Sequence, residues 1–269
     1  QTILVGKTAT FDVEVNNPTG ATYQWFKNGT AIAGATSSTY TTPATVAADD
    51  GAKFKAEVTA GAEMVASQEA TLTVVDLAAP IAPQLCYDFN DGAVPAGAEI
   101  GGTYLEGATP VAFVDVVGGV NNGGVLKLTT SENSQAGGFR SPLIQEGAQL
   151  LEFTLAADVL AGNGTATPAD GFSMNIANDV PITAAGDAEN GGGTGISIAF
   201  DTYDNGGGEA PSIDVRYKGQ VVAVKLVPLA LVNSGDYLQV LLRVKENGLL
   251  DLAVGDTIVY RNLEVPGYA

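Results

Sequence analysis

The segment that decides the fold is YQWFKNGTAI, residues 23–32. It begins with a short strand, Tyr23 to Phe26, and continues through Asn28-Gly29 into a second strand. The Asn-Gly pair readily adopts the two positive φ angles of a type I′ turn, so we predict a β-hairpin here. A second Asn-Gly pair, at residues 247–248, predicts another hairpin.

Strand patterns continue on both sides of this hairpin. Residues 8–15, TATFDVEV, alternate so that Phe11, Val13 and Val15 are predicted to face a core and the acidic residues between them to face water. Elsewhere, short β-branched runs are separated by Gly, Asn, Asp and Pro, and hardly any stretch keeps a helical period. We therefore expect an all-β protein.

Two segments, YQWFKNG at Tyr23–Gly29 and ADDGAKF at Ala48–Phe54, resemble bacterial immunoglobulin-like domains, and the resemblance covers residues 1–75. It implies that Trp25 is the core residue of the third strand, and a lone Trp in a sandwich usually buries its large surface. It also implies that Phe54 lies at the corner where a tyrosine is usual. Because Phe54 has no hydroxyl group, we do not expect the hydrogen bond of that corner.

Residues 76–86, DLAAPIAPQLC, separate this domain from the rest of the chain. Pro80 and Pro83 fix φ locally and disfavour helix, which predicts a semi-rigid linker. The lone Cys86 permits no intrachain disulfide and no cysteine zinc site, and we expect it to be a small buried side chain. In residues 87–269, strands are predicted near 112–117, 124–129, 150–160, 171–177, 195–203, 212–217, 220–227, 236–245, 249–254 and 257–263.

Two further segments, ADGFSM at Ala169–Met174 and IAFDTYDN at Ile198–Asn205, resemble the concanavalin A-like superfamily, in particular legume-type lectins and laminin-G-like modules. The resemblance implies an immunoglobulin-like sandwich followed by a jelly-roll sandwich over residues 87–269. It implies much less about activity, because this fold carries lectins, hydrolases and inert spacer modules.

The lectin resemblance also implies site residues. Asp170 matches the aspartate that binds sugar, and Asp201 matches the aspartate that bridges the two metal ions. Tyr203 matches a backbone-carbonyl ligand and Asn205 a calcium ligand. The expected carbohydrate-binding residues are therefore Asp170 and Asn205, and the expected metal ligands are Asp201, Tyr203 and Asn205.

The metal content is constrained by departures from the lectin pattern. Ala199 stands where the manganese glutamate belongs, Ala210 stands where the second aspartate belongs, and the chain has no histidine. We therefore expect neither manganese nor zinc. Calcium remains possible, because it accepts carboxylate, amide and carbonyl oxygens. The alternative is that residues 201–209 form a solvated connection and that Asp170 only stabilises a turn.

Catalysis finds little support in the sequence. The absence of histidine removes Ser-His-Asp and Cys-His catalysis. The Glu-x-Asp-x-x-Glu strand common in the glycoside hydrolases of this fold does not occur. The Gly191–Gly195 segment lacks the Lys and the following helix of a phosphate-binding loop, so we predict a flexible strand connection. We expect no catalytic residue and no enzyme.

Charge and hydropathy limit the partners. With 12 Lys and Arg against 30 Asp and Glu, the net charge is −18, which repels nucleic acid and anionic lipid surfaces. No stretch approaches the roughly 20 apolar residues that span a bilayer, so membrane insertion is not expected. Both ends look incomplete, and we expect a fragment of a larger protein or a subunit with an open edge near residues 258–265 that a neighbour completes.

Two functions remain open. One is a non-catalytic adhesion or carbohydrate-binding module of a bacterial protein that is secreted or exposed on the cell surface, with a polysaccharide or a glycoprotein glycan as its partner. The other is a structural subunit of a surface layer or extracellular filament, with copies of itself or neighbouring domains as partners. The Gly and Ala richness and the high acidity suggest the second function.

Overall fold

The computed structural model describes residues 1–16, 19–77, 85–104, 112–129, 135–142, 144, 150–162, 171–180 and 190–268. Within these ranges the chain forms strands and short 3-10 helices at Ala47–Asp49, Val120–Asn122 and Leu229–Leu231, and no α-helix. The prediction of an all-β protein is confirmed. In the part of the chain that is described, no helix is long and apolar enough to cross a membrane.

The chain divides into two compact units, Gln1–Ala78 with Asp256–Ile258, and Ala79–Gly255 with Val259–Ala269. Most of the predicted linker lies outside the described residues. Cys86, at its end, is exposed, so the expectation of a buried cysteine was wrong. Cys86 belongs to no strand, and no sheet face turns its side chain toward a core.

The first unit contains nine strands in three sheets. The strands are β1 (Thr2–Leu4), β2 (Thr10–Asp12), β3 (Thr22–Lys27), β4 (Thr30–Ala31), β5 (Thr39–Thr41), β6 (Lys53–Ala60), β7 (Glu63–Ala66), β8 (Ala70–Thr71) and β9 (Thr73–Val75). β1 pairs with β9 in parallel, β2 pairs with β5, and the largest sheet has the order β4-β3-β6-β7 with β8 also paired to β6. Separate pairing of β2 with β5 and of β3 with β6 matches the two sheets of an immunoglobulin-like sandwich.

The predicted hairpins are both present. Asn28 and Gly29 have φ angles of 49° and 80° and join β3 to β4, as the type I′ turn requires. At the second pair, Gly248 has φ 76° and the Asn247 side chain accepts a hydrogen bond from the Leu249 amide at 3.2 Å. The hairpin predictions are confirmed.

The core of the first unit is built around Trp25, which is 3% exposed. Its indole Nε1 donates to the Ser37 carbonyl at 2.9 Å, so the buried N–H has a partner. Ala56 lies directly opposite Trp25 on β6, and its small side chain leaves room for the indole. The prediction that Trp25 is a core residue is confirmed.

Phe54 lies in this core rather than at a corner. Its ring stacks on the ring of Phe11, with 4.6 Å between the centroids and 20° between the planes. Alternate residues of β6 face inward, and Phe54 is one of them. Near the corner, the Asp50 carboxylate accepts a hydrogen bond from the Val74 amide at 2.9 Å.

The alternating segment at residues 8–15 forms a shorter strand than predicted, because β2 covers only Thr10–Asp12. Phe11 is buried, as predicted, and Val13 packs partly against the core. The Val13 amide still donates to the Ser38 carbonyl at 3.0 Å, so the extended chain continues past the strand.

The second unit contains the remaining strands of the described residues, apart from Thr257 and Ile258 at the start of the last strand. They are β10 (Glu99–Tyr104), β11 (Phe113–Asp115), β12 (Val125–Lys127), β13 (Gln135–Arg140), β14 (Phe153–Val159), β15 (Gly171–Ile176), β16 (Ile196–Asp201), β17 (Ser212–Tyr217), β18 (Gln220–Leu226), β19 (Leu238–Val244), β20 (Leu249–Val254) and β21 (Thr257–Glu264). Two four-stranded sheets, β14-β19-β20-β21 and β15-β16-β17-β18, share one apolar core, which makes a sandwich.

Two strands of the second unit, β10 and β13, were not predicted. They pair with each other, and in the ladder Gly101 lies opposite Gly138 and Gly102 opposite Gly137. Glycine is depleted in strands because it has no side chain to pack, so a pair of adjacent glycines hides the strand pattern.

Removal of the Phe54 ring tests the first core. Phe54→Ala deletes a fully buried ring, and we expect the free energy of unfolding to fall by about 3–5 kcal/mol. Trp25 is the only tryptophan of the chain, so its fluorescence during urea unfolding reports on this unit alone. Met64→Ala, at a side chain that is 65% exposed in the same unit, should change stability by less than about 0.5 kcal/mol. Equal effects of the two substitutions would contradict this description of the core.

Candidate functional site

The candidate site lies on the sheet β15-β16-β17-β18, on the face turned away from the core. Alternate residues of β16 and β17, such as Phe200 and Ile213, face the core and are completely buried. The residues between them face the other way, since successive side chains of a strand point to opposite faces. These are Ser197, Ala199, Asp201, Ser212, Asp214 and Arg216.

The register of β16 and β17 places a charged side chain beside a small one. In the ladder, Asp214 lies opposite Ala199, and Arg216 lies opposite Ser197. The methyl group of Ala199 fills little of the space beside the Asp214 carboxylate. The short side chain of Ala199 therefore leaves a hollow on the sheet.

This hollow is part of a cleft of about 290 Å³. The volume lies near the lower end of the range for ligand pockets, which is roughly 300–1,000 Å³. The lining is mostly polar: Asn190, Ala199, Asp201, Asn205, Glu209, Asp214, Arg216 and Val224. We call this feature the Asp214 cleft.

Asp214 is the most deeply placed acid of the Asp214 cleft, with 9% of its surface exposed. The Ser212 hydroxyl donates to its Oδ1 at 2.8 Å. Burial raises the pKa of the Asp214 carboxyl, and the Ser212 hydrogen bond and the Arg216 charge act in the opposite direction. The net effect is upward, so the structure places an incompletely compensated acid in the cleft.

Arg216 contributes hydrogen-bond donors to the same cleft. Its Nη2 donates to Oδ1 of Asn190 at 2.7 Å. Its Nε is buried, and among the described residues it has no hydrogen-bond partner. A buried donor without an acceptor is costly, and a ligand in the cleft does not reach this N–H, because the atom has almost no accessible surface.

Asn190 lines one side of the cleft, and the glycine-rich segment, residues 191–195, follows it in the chain. The Gly192 amide donates to the Asn175 side chain at 2.9 Å, and the Thr194 amide donates to Asp179 at 2.8 Å. The second of these bonds lowers the pKa of Asp179. The segment lies between β15 and β16, as predicted for a strand connection, and these two hydrogen bonds join it to side chains of the preceding segment.

The opposite wall is the acidic loop at residues 201–209. Asp204 accepts hydrogen bonds from the Gly206 amide at 2.8 Å and from the Gly208 amide at 3.1 Å, and the first of these is the main reason that its pKa is lowered. Glu209 accepts from the Asn205 amide at 2.7 Å. The loop is thus organised by its own carboxylates, each of which binds backbone N–H groups a few residues away.

The three expected metal ligands lie in or beside this loop, but they do not form a cluster of acids. The Asp201 carboxylate accepts from the Tyr203 amide at 3.1 Å, and Tyr203 is 41% exposed. In the described ranges, no group of three or more His, Cys, Asp or Glu side chains could hold a metal ion. Oxygen donors of the kind that calcium binds are present, and the calcium site remains a prediction.

The two expected carbohydrate-binding residues have different outcomes. Asn205 lines the Asp214 cleft. Asp170 lies outside the described residues. The glycine after it, Gly171, lies opposite Asp201 in the ladder, and an added Cβ would lie 2.1 Å from the Phe200 carbonyl oxygen. The close approach of the two backbones explains why this position holds a glycine.

Asp214, Arg216 and Asn190 were not predicted as site residues. The sequence did carry a signal for the first two, because residues 212–217, SIDVRY, alternate polar and apolar side chains. Charged residues make up only 16% of the chain, so two charges on one face of a strand are informative. Nothing local to Asn190 shows that it lies beside Arg216.

Comparison with known proteins gives no family. No family model matches the chain, and no curated protein matches it. Two solved structures match weakly: "Sidekick-1 immunoglobulin domains 1-4, crystal form 1" and "Sidekick-1 immunoglobulin domains 1-5". Each match has 10% sequence identity, a TM-score of 0.24 and coverage of 96% of this chain, and the matches cover 70% and 56% of the two Sidekick-1 chains. A likeness this weak carries no argument about fold or function.

The raised pKa of Asp214 predicts a pH-dependent gain from Asp214→Asn. A carboxyl with a raised folded-state pKa contributes most to stability below its unfolded pKa of about 3.9, and that contribution is lost as the pH rises through the folded pKa. At about pH 7, Asp214→Asn should therefore raise the Tm, and a gain of about 1 kcal/mol corresponds to about 2–4 °C.

The gain should shrink toward zero at about pH 3, where the wild-type carboxyl is protonated as well. Calorimetry of the full chain at both pH values measures the difference. Glu246→Gln removes the same charge at an exposed position and is the matched control. A lower Tm for Asp214→Asn at neutral pH would show that the ionised carboxylate stabilises the fold.

Proposed function

We propose that the chain is a non-catalytic carbohydrate-binding part of an extracellular or cell-surface protein, and that a glycan binds in the Asp214 cleft. The observation that supports this proposal is the combination of a buried carboxylate, a guanidinium group and side-chain amides around one hollow. Sugar hydroxyl groups both donate and accept hydrogen bonds. They donate to carboxylates and accept from guanidinium and amide N–H groups.

The position of these groups favours binding. Asp214 and Arg216 lie on β17, which has a hydrogen-bonded strand on each side. Groups held on rigid elements lose little freedom when a ligand binds, which improves affinity. The walls of the cleft are also held by hydrogen bonds, at Asn190 and at Glu209.

We also propose that the second unit has the concanavalin A-like jelly-roll fold and that Asp170 takes part in sugar binding. Two facing four-stranded sheets with one core are consistent with the fold proposal. The tight approach of Gly171 to β16 explains why the ADG segment has a glycine at this position.

Glycan binding is tested with the full chain on a glycan array, followed by calorimetric titration of the best ligand. Asp214→Asn removes a charged acceptor, so we expect affinity to fall about 10-fold or more, since hydrogen bonds to charged groups contribute about 1.5–3 kcal/mol. Asp170→Asn should also weaken binding, and Glu246→Gln should not. The proposal fails if no glycan binds, or if both Asp170→Asn and Asp214→Asn bind as tightly as the wild type.

Calcium binding at Asp201, Tyr203 and Asn205 is a separate part of the proposal. Because an ion that binds only the folded state stabilises it, millimolar calcium should raise the Tm relative to EDTA. Asp201→Ala should abolish that increment. An identical Tm of the wild type in calcium and in EDTA would remove calcium from the proposal and leave a loop organised by its own hydrogen bonds.

A structural subunit is the second candidate function. Edge strand β18 exposes three apolar side chains: Val221 (52%), Val224 (55%) and Leu226 (60%). Such an edge can pair with another chain. Sedimentation velocity separates the two functions, because association that persists without sugar supports the subunit and a monomer supports the binding module.

The edge expected to be open near residues 258–265 belongs to β21, which is the outer strand of its sheet in the described residues. Lys225 of β18 donates from its Nζ to the Val259 carbonyl at 2.6 Å, and the Tyr260 hydroxyl donates to the Ile213 carbonyl at 2.8 Å. These bonds connect β21 with β18 and β17 across the side of the sandwich. They involve side chains and do not form a strand ladder, so in the described residues both β18 and β21 keep an open backbone edge.

A further inference from the structure

A lysine, an aspartate and an asparagine lie together on the sheet β14-β19-β20-β21, away from the Asp214 cleft. Lys245 directly follows β19, Asp251 lies on β20, and Asn262 lies on β21. Because β20 is the strand between the other two, the aspartate lies between the lysine and the asparagine. All three residues belong to the second unit.

The Asp251 carboxylate contacts both of these neighbours. Its Oδ2 lies 2.6 Å from Nζ of Lys245, and its Oδ1 accepts a hydrogen bond from the Asn262 backbone amide at 2.6 Å. The Asp251 side chain is only 7% exposed, so water competes little for these two oxygens. One buried carboxylate therefore positions the lysine amine against the asparagine.

The lysine amine also contacts the asparagine side chain directly. Nζ of Lys245 donates to Oδ1 of Asn262 at 2.6 Å. A carbonyl bond is about 1.23 Å long, so Cγ of Asn262 lies within about 3.8 Å of Nζ. Atoms positioned for reaction are typically about 3–3.5 Å apart. A nucleophile, an amide carbon and a proton acceptor thus meet at one place.

The backbone of Asn262 presents its amide group from an unusual conformation. Its φ angle is 50°, inside strand β21. Such angles are uncommon for residues other than glycine, and they cluster at functional sites. The ion pair between Lys245 and Asp251 requires no amide group at this position, so the contact with the Asn262 side chain is a separate feature.

We propose that Lys245 and Asn262 form an amide cross-link between their side chains. Asp251 accepts a proton from the lysine ammonium, and the neutral Nζ attacks Cγ of Asn262 to form the new bond. Asp251 returns this proton to Nδ2, and the Cγ–Nδ2 bond breaks. The released ammonia takes the second proton that Nζ loses and departs as ammonium. Nothing is oxidised or reduced, and no co-reactant is needed.

The cross-link would join the end of β19 to β21 across β20. Asn262 is exposed, so the ammonium ion has a path to solvent. This inference concerns a covalent modification and does not depend on the proposed carbohydrate-binding function.

The test is mass spectrometry of a tryptic digest of the full chain after incubation in the folded state at neutral pH. Without the cross-link, trypsin cleaves after Lys245 and after Arg261 and releases the linear peptide 262–269. We expect instead a branched peptide that joins residues 244–261 to residues 262–269. Loss of ammonia makes its mass about 17 Da less than the sum of the two linear peptides.

The position of the link must be mapped by fragmentation, because the total mass is not specific. Cyclisation of Gln1, or of Asn247 before its glycine, also releases ammonia and lowers the mass of the chain equally. Neither reaction produces a branched peptide.

Three variants should not form the branched peptide. Lys245→Arg keeps a positive charge beside Asp251 but has no primary amine. Asn262→Gly suits the φ angle of 50° and removes the amide. Asp251→Asn keeps an acceptor for the Asn262 backbone and removes the carboxylate. Lys127→Arg, in a different ion pair, is the matched control and should keep the branched peptide. Circular dichroism checks that each variant folds.

Two results would overturn the inference. If the folded wild type releases only the linear peptide 262–269, the three side chains form an ion pair and hydrogen bonds without a covalent link. If folded Asp251→Asn forms the branched peptide as completely as the wild type, the carboxylate is not the proton acceptor and the proposed step is wrong. The wild-type digest decides the first point even where a variant fails to fold.

Discussion

The apolar core between the two sheets of the second unit is the constraint on which the candidate site depends. Ile196, Ile198 and Phe200 on one strand and Ile213 and Val215 on the next are buried together. A slip of one residue in either strand would turn these side chains to the opposite face. The same packing therefore fixes Asp214 and Arg216 on the outer face.

The cleft carries polar groups that are poorly compensated by the protein alone. Asp214 is buried against a neutral hydroxyl, and the Nε of Arg216 is buried without an acceptor in the described part of the chain. Both features cost stability, and the first is relieved by a ligand that donates a hydrogen bond to the Asp214 carboxylate. Groups that lower stability and favour ligand binding are expected at a functional site, because the rules of packing and hydrogen bonding are broken there more often than elsewhere.

Local sequence patterns predicted the parts of the fold that depend on local chemistry. The Asn28-Gly29 turn and the burial of Trp25 follow from residue types within one hairpin. The sequence did not predict the pairing of β10 with β13, because adjacent glycines lie opposite each other in these two strands. The exposure of Cys86 was also missed, since its side chain belongs to no sheet face.

The candidate site could be predicted only in part. Asp201 and Asn205, which the lectin resemblance implies as ligands, line the cleft, and their roles in metal and sugar binding stay predictions. The resemblance did not indicate Asp214. The lectin pattern has a glutamate where this chain has Ala199, and the space that this alanine leaves beside Asp214 depends on the register of two strands. The position of Asn190 depends on contacts outside its own segment, which a single sequence does not show.

The most direct measurement is a map of backbone amide chemical shifts in the full chain during titration with a bound oligosaccharide. The account predicts that the largest changes occur along the outer face of β16 and β17, at Ala199, Asp214 and Arg216, and at Asn190. Changes concentrated in the first unit, or on the sheet that contains β14 and β19, would contradict the assignment of the ligand to the Asp214 cleft.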